Sequence, residues 1–375
     1  MKVLFVETVS EMGGAQQSLY ELCAALPPFG VEVAVAVPWG PLHDALRSAG
    51  VSVYPIPPVR AKRRGLGLAV TLVQLARASW QTSRIIRACK PDIVHANSMA
   101  SALAAVAVPS GIPRFLHVRD LRLPAFALKA AARRHTRIIA ISTALDAYLR
   151  NTLAPPCHEK IRIIRNGIDT ARFTPGDTAA ARKRFALPED APVIGMIAHL
   201  IPWKRHDLFL AAAEKIRAKH PAAHFVIVGR DLFGEHGAWV KQLHRQAGDA
   251  GLQDVLHWVR DVDQTESILP AFDVLAHPAR HEPFGRVVCE AMTMRVPVVA
   301  ADSGGIPDII TDGVNGFLVA EGDAGRFAER VGALLDNPGL AQTLAGAARE
   351  HVLRNFTKER VASQLATEYY SVLTR

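Results

Sequence analysis

Long apolar runs are missing from this chain. A membrane-spanning helix needs about 18 or more consecutive apolar residues, and none occurs although 49% of the 375 residues are hydrophobic. Aromatics are scarce at 6%, so the core must be built from Ala, Val, Leu and Ile, as in a soluble α/β protein. Paired cysteines are missing too: Cys23, Cys89, Cys157 and Cys289 are scattered along the chain. That argues against a disulfide framework or a structural zinc site and for a reducing, cytoplasmic compartment. Met1-Lys2-Val3-Leu4-Phe5-Val6-Glu7 meets an acid after four apolar residues, so it reads as a first strand and not a signal peptide. The G-x-G-x-x-G spacing of a dinucleotide site, with a ribose-binding acid about twenty residues later, is also absent. This argues against a dinucleotide-dependent oxidoreductase. No short-period repeat is visible.

What is present is an alternation of strand-like and helix-like runs, the pattern of βα units and parallel sheets. The length suits two domains of about 150–200 residues each. Strands are predicted near 2–7, 32–37, 51–54, 92–95, 114–117, 137–141 and 161–164, with helices near 15–26, 41–49, 68–89, 99–107, 124–135 and 143–151. A turn-rich stretch, Asn166 to Asp177, follows. The alternation then restarts, with strands near 192–198, 223–228, 255–257, 273–276, 297–300 and 317–319. Helices are predicted near 206–219, 237–249, 265–270, 285–294, 305–310, 324–335 and 339–349. The expected domains are 1–175 and 176–356, with an amphipathic segment, 357–375, packing back toward the first.

The net charge of +9 is uneven: residues 55–165 hold 19 Lys or Arg against 4 acids. The densest piece is Arg60-Ala61-Lys62-Arg63-Arg64, with Lys129, Arg133 and Arg134 further on. Such a face suits anionic lipid or a lipid-phosphate acceptor, or is a solvated basic surface. Nucleic acid is not an expected partner, because the basic residues are not interleaved with aromatics.

The chemistry concentrates where strands run into loops, since ligands bind outside the carboxyl ends of parallel strands. His281-Glu282-Pro283-Phe284-Gly285-Arg286-Val287-Val288-Cys289-Glu290 holds two carboxylates eight residues apart around a Pro-Phe-Gly turn. A helix starting near Gly285 presents unpaired N–H groups and a positive dipole end to a phosphate. Glu290 then lies roughly 8 Å along it, at about 1.5 Å per residue. One acid can hold a group on each side of a diphosphate, as a sugar nucleotide requires. Lys204 and Arg205 place cationic charge at another helix start, which is unfavourable to the dipole and wants an anion. Gly13-Gly14 lets backbone approach a ligand or makes a tight turn, and His117-Val118-Arg119-Asp120 gathers polar groups after a strand. Gly229 and Arg260 mark two more strand-to-loop switches, and Asp302 to Asp308 is a glycine loop suited to phosphate or hydroxyls. Asp261-Val262-Asp263 has the form of a divalent-metal site. It precedes a helix start, however, and N-capping explains one of its acids.

Together these stretches resemble the retaining GT-B glycosyltransferases of the large family four, the glycosyl transferases group 1. The resemblance rests on Gly13-Gly14-Ala15 with Ser18-Leu19, Ile139-Ala140-Ile141-Ser142, Arg165-Asn166-Gly167-Ile168-Asp169, Trp203-Lys204, Glu282 to Glu290, and Pro297-Val298-Val299 with Gly304-Gly305. It covers most of the chain and implies two Rossmann-like doubly wound domains facing a cleft. It also implies a hexose moved from a nucleotide diphosphate sugar, UDP-sugar before GDP-mannose, to a glycan or lipid-linked acceptor at the membrane's inner face. A small soluble aglycone as acceptor and a non-catalytic GT-B binding subunit are the alternatives. His117, Lys204 and Glu282 would be catalytic. Gly13, Gly14, Arg205, Gly229, Arg260, Val262, Phe284, Gly285, Arg286, Val287 and Glu290 would hold the donor, Glu290 at the ribose. No metal or other cofactor is expected, because lysine and the helix N-terminus replace it. One departure bears on the phosphate site: His199 stands where the family usually has Arg.

Overall fold

The computed structural model describes residues 1–59, 66–260, 262 and 264–374. It divides into two compact units, Met1–Ile168 with Thr357–Arg375, and Asp169–Phe356. The division falls at Ile168, short of the boundary at 175 expected from turn composition. Ile168 is fully buried and bridges Thr357, so it belongs with the first unit. Arg172 instead pairs with Glu266 at 2.6 and 2.8 Å, within the second.

The first unit is built on seven strands: β1 Lys2–Val6, β2 Glu32–Val37, β3 Ser52–Pro55, β4 Ile93–Ala96, β5 Arg114–Val118, β6 Arg137–Ala140 and β7 Ile161–Ile163. All neighbours pair in parallel, in the order β3-β2-β1-β4-β5-β6-β7. Successive strand residues face opposite sides of a sheet, and a parallel sheet covered on both faces needs both sides apolar. β1 shows this. Val3 and Phe5 pack with Leu19 and Leu22 of helix Gly14–Ala25 and with Val361, Leu365 and Tyr369 of helix Lys358–Leu373. Leu4 and Val6 pack on the other face with Ala78, Ile85 and Ile86 of helix Leu66–Cys89. The core of this unit is therefore completed by a helix from the far end of the chain.

The second unit holds β8 Val193–Ile197, β9 His224–Val228, β10 Leu256–Val259, β11 Val274–His277, β12 Val298–Ala301 and β13 Phe317–Val319. They form a parallel sheet in the order β10-β9-β8-β11-β12-β13. Two predicted helices are corrected here. The segments near 265–270 and 305–310 are short 3-10 turns, Thr265–Ser267, Leu269–Ala271 and Ile306–Asp308. Pro270 and Pro307 lack the N–H that a continuing α-helix would use. Conversely, helix Thr178–Arg184 was not predicted; Asp177 caps it by accepting from the Ala180 N–H at 3.1 Å. Among the described residues no helix is long and apolar enough to cross a membrane.

Candidate active site

In the second sheet the strand order reverses between β8 and β11. Loops leaving neighbouring parallel strands at such a switch point diverge and open a crevice at the carboxyl ends. The loop after β8 carries Lys204 and the loop after β11 carries Glu282, and the two meet there. Lys204 Nζ lies 2.6 Å from Glu282 Oε2. His277, the last residue of β11, donates from Nε2 to the same oxygen at 3.0 Å. Burial by itself would raise the Glu282 carboxyl, but the Lys204 charge and the hydrogen bonds from His277 and Lys204 outweigh it, and the pKa falls to about 2. Burial pushes His277 below its usual range despite Glu282, so it is a neutral donor. At neutral pH the site therefore holds an ionised carboxylate against the Lys204 ammonium. His199 is also pushed down, by burial first and then by Lys204 and Arg230, and adds no charge.

Backbone bonds tie these loops into one rim. The Leu200 N–H donates to the Arg230 carbonyl at 3.1 Å, the Arg280 N–H to that of Trp203 at 2.8 Å, and the Gly305 N–H to that of Glu282 at 2.7 Å. The His281 N–H donates to Ser303 Oγ at 2.6 Å. Gly304, at φ 61°, has no room for a side chain: a Cβ there would stand 2.0 Å from the Glu282 carbonyl oxygen. Packing against the Glu282 backbone thus explains this glycine, which the sequence suggested for ligand approach. Gly229 is explained likewise, since a Cβ would fall 2.0 Å from the Ala198 carbonyl oxygen.

Helix Arg286–Thr293 begins directly after Gly285. One turn in, Glu290 Oε1 lies 3.3 Å from Arg286 Nη2, and its Oε2 accepts from Thr265 Oγ1 at 3.1 Å. Arg286, Glu290 and Glu282 are all buried, while Val287 is half-buried. The Phe284 side chain lies in the core, edge-on to Phe356 at 5.8 Å, which leaves its backbone for the helix entrance. Arg205 does not bring an unanswered charge to its helix start. Its guanidinium is held by Asp207 of the same helix at 3.0 to 3.1 Å. Arg260 is exposed after β10, and Val262 is half-buried in the loop beyond it. Asp261 and Asp263 lie outside the described residues; among those described, no group of three His, Cys, Asp or Glu side chains could hold a metal ion.

Two site residues escaped the sequence reading. His277 did so because the strand was ended at Ala276, one residue short. Thr265 did so because its segment read as a helix start.

The first sheet has its own switch point, between β1 and β4, and it too is bridged by a glutamate. Glu7 Oε1 accepts from the N–H groups of Thr8 and Val9 at 2.7 and 3.0 Å, and Oε2 accepts from Asn97 Nδ2 at 2.6 Å. These bonds fix the loop that leads to Gly13, the residue before helix Gly14–Ala25, and to exposed Gly14. Arg119 donates to Asn97 Oδ1 at 3.1 Å and to Asn166 Oδ1 at 2.6 Å. Asp120 separates from this cluster: it is exposed and accepts from the Arg122 N–H in a turn. His117, near the end of β5, is buried and lines a small crevice with Ser18, Glu21, Arg119 and Asn166.

Two Rossmann-like units, each on its own doubly wound parallel sheet, are the architecture of the GT-B class of protein, which the solved structures below share. The chain belongs to the glycosyl transferases group 1: the model of that family matches residues 177–351, and the model of Glycosyltransferase Family 4 matches residues 12–172. A D-inositol 3-phosphate glycosyltransferase 2 from Catenulispora acidiphila is 36% identical over 200 residues, 52% of this chain and 47% of that protein. A D-inositol 3-phosphate glycosyltransferase from Acidothermus cellulolyticus is 35% identical over 202 residues, 52% of this chain and 45% of that protein. The chain thus spans about half the length of the curated relatives it matches. HepE from Anabaena, solved with UDP-glucose, superposes with a TM-score of 0.85 at 25% identity, covering 99% of this chain and 100% of that one. The fold is shared also with sucrose-phosphate synthase from Thermosynechococcus elongatus, with a TM-score of 0.84 at 20% identity over 100% of this chain and 99% of that one.

Proposed function

We propose that the protein is a retaining glycosyltransferase that moves a hexose from a nucleotide diphosphate sugar to an acceptor hydroxyl in envelope or exopolysaccharide glycan assembly. The observation that carries this reading is the Lys204–Glu282–His277 cluster across the switch point, beside the helix start that leads to Glu290. Heterolysis of the anomeric C–O bond leaves negative charge on the diphosphate. Lys204 and the N–H groups of the first turn of helix Arg286–Thr293 answer that charge without a metal. Glu282 accepts from hydroxyls of the transferred sugar and steadies its developing positive charge. It is not assigned as a nucleophile. The leaving phosphate oxygen takes the proton from the acceptor hydroxyl as the new bond forms, and Glu290 accepts from the ribose hydroxyls. UDP-sugar is the favoured donor, supported by HepE, and GDP-mannose is the alternative. The names of the curated relatives add a phosphorylated polyol to the acceptors worth testing.

A thermal-shift series against UDP-, GDP-, ADP- and dTDP-sugars tests the donor class, since a ligand at 100 times its Kd adds about 2.7 kcal/mol. Glu290→Gln keeps the size of the side chain but loses its charge. It should weaken nucleoside diphosphate binding by about one to two powers of ten, because a hydrogen bond to a charged group is worth about 1.5–3 kcal/mol. Unchanged affinity by calorimetry would remove Glu290 from the nucleotide site. An α-linked donor should give an α-linked product in excess EDTA, read from the new anomeric proton by NMR. An inverted product, or activity that returns only with Mg²⁺ or Mn²⁺, would overturn the mechanism.

A lipid-linked acceptor is favoured over a soluble one by a surface of the first unit. On helix Leu66–Cys89, Val70, Val73, Arg77, Trp80, Arg84 and Arg87 recur every three or four residues, and all are exposed. Arg84 stands 4.8 Å over the Trp80 ring. Apolar, tryptophan and arginine side chains along one exposed face suit the interface of an anionic membrane. The basic cluster Arg60, Lys62, Arg63, Arg64 lies outside the described residues. Vesicles containing anionic lipid should bind the protein in a salt-sensitive way, and neutral vesicles weakly. Val73→Ser with Trp80→Ser should reduce that binding and leave nucleotide affinity unchanged. No binding to anionic vesicles even at low salt would make the stripe a solvated face and the acceptor soluble.

A further inference from the structure

A buried line of three side chains runs from the C-terminal helix to the first unit's crevice. Tyr369 Oη lies 2.5 Å from His95 Nδ1, and His95 Nε2 lies 3.1 Å from His117 Nδ1. Tyr369 and His95 are fully buried, and His117 is 2% exposed. The His95 ring is held between Phe5 and Phe115, at centroid distances of 4.8 and 5.7 Å, so it cannot turn to find other partners. Among the described residues His117 Nε2 has no partner.

The direction of the protons along this line follows from elimination. A neutral imidazole carries one N–H and one bare nitrogen. Burial, then the Arg119 charge, pushes both histidines well below their usual range, so each is neutral. Burial raises the Tyr369 phenol well above its usual value, so its O–H is kept. That O–H has only His95 Nδ1 to bond with among the described residues. In either direction one proton at an end of the line lacks a protein acceptor. Were Tyr369 to accept, it would be the phenol's own, fully buried away from the crevice at the cost of a desolvation penalty. In the opposite direction it is the His117 Nε2–H, on a residue that lines the crevice, where a bound hydroxyl can accept it. Tyr369 therefore donates to His95 Nδ1. His95 must then carry its proton on Nε2 and donate to His117 Nδ1, and His117 must carry its proton on its own Nε2.

We infer that Tyr369, through His95, fixes His117 as the Nε2–H tautomer, so that His117 meets its ligand as a hydrogen-bond donor. Tyr369 and His95 are positioning residues, and the group they position donates its N–H to a hydroxyl oxygen. Locked in this form, Nε2 has no lone pair with which to remove a proton, so His117 orients a hydroxyl and does not act as the base. That the hydroxyl belongs to the transferred sugar or the acceptor rests on the glycosyltransferase reading. The tautomer itself does not.

The test is two-bond ¹H–¹⁵N correlation on full-length protein labelled with ¹⁵N-histidine. In the wild type, His95 and His117 should both show a protonated Nε2 and a bare Nδ1. Tyr369→Phe keeps the ring that packs edge-on to Phe115 at 4.8 Å and removes only the hydroxyl. In this variant the Nδ1–H form of His117 should appear, because neither direction along the pair is then enforced. A protonated His117 Nδ1 in the wild type, or tautomer populations unchanged by Tyr369→Phe, would overturn the inference. Turnover of the Phe variant should fall about fivefold with nucleotide affinity unchanged. Tautomers that shift while turnover stays constant would instead leave the lock in place and remove His117 from the reaction.

Discussion

Lys204→Met should lower turnover by two to three powers of ten while the nucleotide still binds. One preorganised group aimed at developing charge is worth about that much in rate, and Lys204 is the cation held directly on Glu282 at 2.6 Å. The substitution has a second consequence. It leaves the Glu282 carboxylate buried beside a neutral His277, and breaking one side of a buried pair costs about 3–5 kcal/mol. Lower activity could then reflect lower stability alone. Lys204→Met combined with Glu282→Gln separates the two, since it removes both charges and keeps the His277 contact. Urea unfolding should show much of the stability restored, and single-turnover kinetics should show no recovery of rate. The two residues touch, so their effects on stability should be non-additive. Turnover of Lys204→Met within tenfold of the wild type would sink the assignment of Lys204 to the leaving group.

Mild acid should unfold the protein, with stability falling from about pH 6.5 downward. Burial pushes His95, His117 and His277 below their usual range, His135 to about 4 and His206 to about 3. A depressed histidine stays neutral in the folded state while the unfolded chain takes up a proton near pH 6.5. The folded state is therefore disfavoured as pH falls through that value. Each such group contributes up to about 1.4 kcal/mol per pH unit. Together the five give an upper bound of about 7 kcal/mol per pH unit, against a typical net stability of about 5–15 kcal/mol. Glu282 has the same sign in a lower window: its stabilisation is full above about 4.5 and is lost as pH falls toward about 2. Urea midpoints at pH 7.5, 6.5, 5.5 and 4.5 should decline from the second value onward. A flat profile between 6.5 and 5 would mean that these imidazoles reach water or an acid partner in the folded state.

Much of the architecture was readable in advance because parallel strands covered on both faces appear as short unbroken apolar runs. β9 and β12 sit within a residue of their predicted limits for that reason. The 3-10 turns around Pro270 and Pro307 were misread because their apolar spacing resembles a helix over so short a length. The candidate sites were legible where chemistry follows a strand in sequence, as at Glu282 and His117. They were not legible where the partner comes from elsewhere. Lys204 and Glu282 were read as serving separate parts of a donor, yet they form one ion pair across 78 positions. Tyr369 and His95 are 274 positions apart, and no local pattern marks a tyrosine on an amphipathic helix as the partner of a histidine in a strand.

The split character of the first unit has a consequence during translation. Its seven strands are made before the other unit, but Val361, Leu365 and Tyr369, which cover Val3 and Phe5, are made only after it. About 190 residues of the other unit intervene, which at about 5–20 residues per second takes about 10–40 s. For that interval the nascent chain carries an open apolar face on its older half, while the younger half, contiguous in sequence, has everything it needs to close. Of the two units, the one begun earlier would then be the later to finish folding, and a chaperone that recognises exposed apolar sheet would find its substrate there.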